Sequence, residues 1–127
     1  MNVAAYITSE GERGEIATWL ESRGMNPYRV EWFNDKNGET TADRPGFDSL
    51  QRAISDGKVT CVILWKVDRL SLRLLDGVKI LADWAARGLK LVVVSQQIEI
   101  DGPECRKFAT LLPRWKVSRK KDRQRPR

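Results

Sequence analysis

The sequence predicts an α/β fold: a three-layer sandwich with helices on both faces of a mostly parallel central sheet of four to five strands. Three observations carry this. Apolar β-type runs alternate with segments of helical periodicity in the order strand-helix-strand-helix-strand-helix-strand. The run Val59–Trp65 (VTCVILW) is apolar on both faces, as a central strand of a parallel sheet must be. The chain has 127 residues, 41% of them hydrophobic and 31% charged, which is room for one folded domain and no second core.

Each element follows in order. Val3–Ile7 is short, apolar and strand-like. Glu15–Arg23 (EIATWLESR) sets Ile16, Trp19 and Leu20 at helical spacing, with Gly24 as a natural stop. Tyr28–Phe33 (YRVEWF) is aromatic and β-branched and reads as a strand. Asn34–Arg44 is a polar loop. Pro45 suits the first turn of a helix with Asp43 as its cap, and Phe47, Leu50 and Ile54 form one stripe that ends at Asp56-Gly57. After the central strand, Leu74, Val78, Leu81 and Ala85 mark a long amphipathic helix, widened by Leu75 and Trp84 and closed at Arg87-Gly88. Leu89–Val94 (LKLVVV) is a second buried strand, and Ile98–Ile100 a short edge strand. Pro103–Leu112 has the length of one or two helical turns.

Composition excludes several chemistries. The chain contains no His, which removes a Ser-His-Asp triad, a Cys-His dyad and imidazole-bound metal. Its two cysteines, Cys61 and Cys105, lack CxxC spacing; they read as a buried small hydrophobe and a partly exposed thiol. No signal peptide and no membrane-length apolar run is evident, so a cytoplasmic, reducing compartment is expected. The net charge of +6 points to an anionic partner, nucleic acid first. That charge is not evenly spread. Arg114–Arg127 holds eight basic residues and one acid, and the remainder of the chain carries about −1.

In a parallel α/β sheet the functional site lies at the carboxyl ends of the strands. Here those ends hold Thr8-Ser9, Asn34-Asp35, Lys66–Arg69 and Ser95-Gln96. Asp68-Arg69 follows the central strand and Arg73 lies four residues on, at the start of the next helix; Arg44 arrives from another loop. Guanidinium groups gathered near a hydroxyl suit a phosphodiester, because Arg forks grip phosphate oxygens and stabilise charge at phosphorus under attack. Asp68 would orient an arginine or act as a general acid. The plainer alternative for Asp68, Arg69 and Arg73 is a set of surface ion pairs. Ser9 is likewise either a nucleophile activated by neighbouring cations or a helix-cap or turn serine.

These segments resemble the catalytic domain of the serine recombinases, the resolvase/invertase family. The resemblance rests on Ala4–Ile7 (AAYI), Glu21–Gly24 (ESRG), Phe33–Gly38, Asp43–Phe47 (DRPGF), Val62–Ser71 (VILWKVDRLS) and Ala86–Pro103, and it spans about residues 3–112. It implies a resolvase-like sandwich and DNA strand exchange. In that reaction a serine attacks the scissile phosphodiester, a 5′-phosphoserine link forms and a 3′-hydroxyl is released, with arginines stabilising charge and no metal or other cofactor. It carries over Asp35, Arg44, Asp68 and Arg69 intact, with Ser9 and Arg73 as displaced candidates. The family's first-strand motif is Tyr-x-Arg-Val-Ser; here the stretch is Tyr6-Ile7-Thr8-Ser9-Glu10, and no arginine is present. The family's Asp-Arg-Leu-Ser-Arg ends here in Leu72, with Arg73 one position late, a rotation of about 100° around a helix. Pro113 interrupts the helix that family members use for dimerisation.

The expected organisation is a resolvase-like catalytic domain over residues 1–112 and a basic, disordered tail over 113–127. Arg114, Lys116, Arg119, Lys120 and Lys121 are the expected DNA-backbone contacts of that tail, which otherwise reads as a solubilising end. The expected partners are DNA and further copies of the chain, as a dimer or tetramer on DNA, with neither a membrane nor a small-molecule substrate. Two functions follow. One is a site-specific DNA recombinase acting through Ser9 with Arg44, Asp68, Arg69 and Arg73. The other is a catalytically degenerate relative that associates with DNA or dimerises.

Overall fold

The structure, a computed structural model, describes residues 2–35, 44–70 and 74–100. Its elements run β1 (Val3–Ile7), α1 (Glu10–Ser22), a 3₁₀ turn (Pro27–Arg29), β2 (Glu31–Asn34), α2 (Pro45–Ser55), β3 (Cys61–Leu64), a second 3₁₀ turn (Val67–Arg69), α3 (Leu74–Ala86), β4 (Lys90–Val93) and β5 (Ile98–Ile100). The sheet order is β2-β1-β3-β4-β5. The first four strands are parallel, and β5 returns antiparallel to β4. The predicted three-layer sandwich is therefore present, with five strands.

Strand alternation sorts the core into two layers. Val3, Ala5, Ile7, Cys61, Ile63 and Val92 pack against Ile16 and Leu20 of α1. On the other face Ala4, Tyr6, Val62, Leu64, Leu91 and Val93 pack against Phe47, Leu50 and Ile54 of α2 and Leu81 and Trp84 of α3. Every residue of β3 is buried. A strand covered on both faces needs an apolar residue at each position, which is why this run has no period-two polarity.

Strands β3 and β4 are each shorter at both ends than their apolar runs, and three other boundaries differ from the sequence reading for a clear physical reason. Helix α1 starts at Glu10, not Glu15. Its first turns (EGERGE) contain two glycines and no apolar repeat, so periodicity begins only at Ile16. Strand β2 starts at Glu31, because Asn26 caps a 3₁₀ turn over Pro27–Arg29 that leaves Tyr28 96% exposed. Helix α2 has Arg44, not Asp43, at its N-cap, and Arg44 makes no side-chain cap bond. The capping acceptor is Asp35, which arrives from the end of β2. Gly24, Gly57 and Gly88 follow the three helices in left-handed conformation, as their positions predict.

Candidate active site

Two buried carboxylates stand beside the carboxyl end of β1. The first, Asp35, lies just past β2, and its backbone N–H is held by the carbonyl of Ile7 at 3.1 Å. Its Oδ1 accepts from the Gly46 N–H at 2.7 Å; its Oδ2 accepts from the Phe47 N–H at 2.7 Å and from the Tyr6 hydroxyl at 2.8 Å. These amides are among the unpaired donors of the first helical turn, where the macrodipole also favours an anion. Burial, reinforced by the bond to Asp35, pushes ionisation of the Tyr6 hydroxyl above its ordinary value. Gly46 makes the approach possible. A Cβ there would lie 2.5 Å from the Asn34 carbonyl oxygen and 2.9 Å from Asp35 Oδ1.

The second carboxylate is Glu12, in the first turn of α1. Ser9 is the N-cap, its Oγ accepting from the Glu12 N–H at 3.2 Å. Glu12 Oε1 accepts from the Thr8 N–H at 2.9 Å, and Oε2 from the Thr8 hydroxyl and from Arg69 Nε, both at 2.8 Å. Arg69 lies in the 3₁₀ turn that follows β3, and its Nη1 also meets Asp68 Oδ1 at 3.1 Å. Glu12, Asp68 and Arg69 are all buried. Ionised groups survive burial only when paired and hydrogen-bonded. Among the described residues no buried side-chain nitrogen or oxygen lacks a partner.

The turn that bears Arg69 is anchored from three sides. Arg44 donates from Nη1 to the Arg69 carbonyl at 2.6 Å and from Nη2 to the Leu70 carbonyl at 2.5 Å. The Arg44 guanidinium also stacks on the Phe47 ring at 4.3 Å. Gln96, in the turn between β4 and β5, accepts from the Val67 N–H at 3.1 Å. Trp65 lies under the Arg69 guanidinium at 5.4 Å and the Lys66 ammonium at 4.7 Å.

The structure thus gathers four of the five predicted catalytic residues, Ser9, Arg44, Asp68 and Arg69, at one end of the sheet. Arg73 lies outside the described residues, as do Arg114, Lys116, Arg119, Lys120 and Lys121. Arg69 is not the exposed ion-pair residue of the plainer reading, since it is only 8% accessible. Ser9 takes the cap position while its side chain stays at the surface. Sequence reasoning missed Glu12, and with it the role of Thr8 as its donor. The signal that finds it is the spacing Ser9-x-x-Glu12, a capping-box pattern. In a capping box the glutamate returns to the N-cap amide; here it reaches one residue further back, to Thr8, and also takes Arg69. Among the described residues no cluster of acidic residues or cysteine is arranged to hold a metal ion, and no helix is long and apolar enough to cross a membrane.

The sequence model for the resolvase N-terminal domain matches residues 8–115. The chain belongs to the resolvase family. This resolvase domain is similar to the transposon Tn3 resolvases of Escherichia coli and Klebsiella pneumoniae, each 27% identical over 93 residues, which is 73% of this chain and 48% of the relative. The chain thus spans about half the length of the curated relatives it matches. Its fold is similar to the N-terminal catalytic domain of TP901-1 integrase, with a TM-score of 0.71, 18% identity and 98% of both chains covered. It is also similar to a resolvase family site-specific recombinase from Streptococcus pneumoniae, with a TM-score of 0.68, 16% identity, and 97% of this chain and 91% of that one covered.

Proposed function

We propose that this resolvase domain is the catalytic domain of a site-specific DNA recombinase, with Ser9 as its nucleophile. Ser9 Oγ loses its proton and forms a bond to the scissile phosphorus, the bond from phosphorus to the 3′-oxygen breaks, and that oxygen takes up a proton, so the step is proton-neutral. The products are a 5′-phosphoserine link and a free 3′-hydroxyl. Attack by a 3′-hydroxyl of another strand restores the serine and a phosphodiester. Exchange of one ester for another conserves bond energy, so the step calls for no metal or nucleotide. Arg44, Arg69 and Arg73 are assigned to charge on the phosphoryl oxygens, and Asp68 to orienting Arg69 or supplying the proton. The observation that carries the reading is that Ser9 and Arg69 meet the same residue at the carboxyl end of a resolvase sheet: Ser9 Oγ accepts from the Glu12 backbone N–H, and Arg69 Nε donates to the buried Glu12 carboxylate. The names of the relatives, resolvase and integrase, support DNA as substrate.

The proposed partners are DNA and further copies of the chain, as a dimer or tetramer on DNA, and the proposed location is the cytoplasm. The basic tail beyond Pro113, through Arg114, Lys116, Arg119, Lys120 and Lys121, is assigned to the phosphate backbone without base readout.

One observation favours a second reading. Among the described residues Arg69 meets two carboxylates and Arg44 two carbonyls, and no arginine stands in the Tyr6–Glu10 stretch. Each missing stabilising group costs about 100-fold or more in rate. The domain would then associate with DNA or with another copy without cutting. Incubation with supercoiled DNA bearing candidate sites, followed by denaturation, separates the two. A covalent protein–DNA adduct that disappears in Ser9→Ala supports the recombinase. DNA binding with no adduct in the unaltered chain selects the second reading.

A further inference from the structure

We propose that Glu12 is a positioning residue: its carboxylate ties the first turn of α1, which carries Ser9, to Arg69 beyond β3, and so sets the hydroxyl and the guanidinium relative to each other. The catalytic consequence rests on the recombinase reading; the tie itself does not.

The geometry makes the connection short. Only Thr8 and Ser9 separate β1 from α1. Strands β1 and β3 are parallel neighbours with Tyr6 opposite Leu64, so their carboxyl ends lie side by side. Glu12 bridges them through one oxygen, Oε2, which accepts from Thr8 on one side and Arg69 on the other. The same residue donates its N–H to Ser9 Oγ. A rotation of the α1 start therefore moves the Ser9 hydroxyl and strains the Arg69 contact together. The far end of the tie is rigid, because Arg44 and Gln96 hold the backbone around Arg69.

A carboxylate used only to cap α1 has no need of this environment. A local cap needs only the amides of its own helix as partners. Glu12 is instead 4% exposed, with its desolvation offset by a guanidinium and two donors from Thr8. Apolar packing would stabilise such a spot as well as an ion pair does. What the ion pair adds is direction: Nε of Arg69 can meet Glu12 in few orientations of the guanidinium plane.

The test compares the full chain with Arg69→Lys, Glu12→Gln and Thr8→Val. Amide hydrogen exchange reads the tie directly. Arg69→Lys keeps the charge and loses the fork, and is expected to speed exchange of the Thr8 and Glu12 amides by about tenfold or more while the second half of α1 and all of α2 keep their rates. First-turn amides that do not change, or that change only together with α2, overturn the proposal. Thr8→Val removes one donor and no charge, and is expected to give a smaller change at the same amides. It decides the matter alone if the charged variants fail to fold: no change at those amides overturns the tie. With DNA, Glu12→Gln is expected to slow formation of the Ser9 adduct by about 100-fold while DNA binding holds. A faster adduct in Glu12→Gln overturns the proposal, because Glu12 would then be obstructing Arg69. If the unaltered chain forms no adduct, the recombinase reading falls and the exchange rates alone judge the tie.

Discussion

Asp35 and Glu12 flank the same strand end and are equally buried, yet they are built for different work. Among the described residues Asp35 accepts only from neutral donors: two amides of α2 and the Tyr6 hydroxyl. Two of those belong to the backbone of a helix and cannot turn toward a ligand. Asp35 therefore fastens α2 to the ends of β1 and β2. Glu12 accepts from a backbone amide, a hydroxyl and a guanidinium. Its cationic partner comes from the turn after β3 and is of a kind that binds phosphate. A buried carboxylate compensated by backbone builds the fold, whereas one compensated by an arginine also decides where that arginine sits.

The largest effect should come from crowding the Asp35 side. Gly46→Ala drives a methyl group against the backbone carbonyl of Asn34 and against Asp35 Oδ1. The expected loss is about 3 kcal/mol or more of stability, read as a lower urea midpoint. An unchanged midpoint breaks the view of Asp35 as a tightly seated cap. Next is Asp35→Asn, which offers one acceptor oxygen where three donors converge on two. About 2 kcal/mol should be lost by the same measurement. Arg44→Lys perturbs the turn that bears Arg69 instead. One ammonium on a flexible stem cannot span the Arg69 and Leu70 carbonyls as a fork does. A loss of about 1–2 kcal/mol is expected, with faster exchange at the turn around Arg69.

The smallest effect is titratable. Tyr6 ionises above its ordinary value in the folded chain, so the fold keeps a proton that the unfolded chain releases near pH 10. That contribution is fully present below about pH 10 and is lost as pH rises above it. Tyr6→Phe should cost about 1 kcal/mol at neutral pH and should flatten the alkaline decline in the urea midpoint. A variant that declines as steeply as the parent chain would show that another group governs the alkaline limb.

The architecture was largely legible because burial leaves a pattern. The apolar run of β3, the stripe of Phe47, Leu50 and Ile54, and the glycines after each helix all record where the chain meets its core. Ser9, Asp68 and Arg69 were legible as strand-end residues, because topology sends them to one edge, and Arg44 was legible as a cation arriving from another loop. Their partners were not. Glu12 sits in a glycine-containing, charged stretch that looks like solvated surface, and its burial depends on Arg69, 57 positions away. The cap of α2 was sought next to the helix, at Asp43. It is supplied by Asp35, eleven residues before Gly46, because parallel pairing brings the end of β2 beside β1. Local pattern shows which face is apolar; it does not show which distant charge a buried carboxylate will meet.

Ser9, the proposed nucleophile, is tested most directly by locating the DNA phosphate on the chain. Cleavage after Arg13 isolates the peptide Met1–Arg13, which contains Ser9 and no other Lys or Arg. The adduct formed with site-bearing DNA can be trapped, digested with nuclease and trypsin, and sequenced by mass spectrometry. A nucleotide phosphate on Ser9 within that peptide is the expected result. A phosphate on Ser71, Ser95 or Tyr6 instead, or no modified peptide from a chain that binds the DNA, would contradict it.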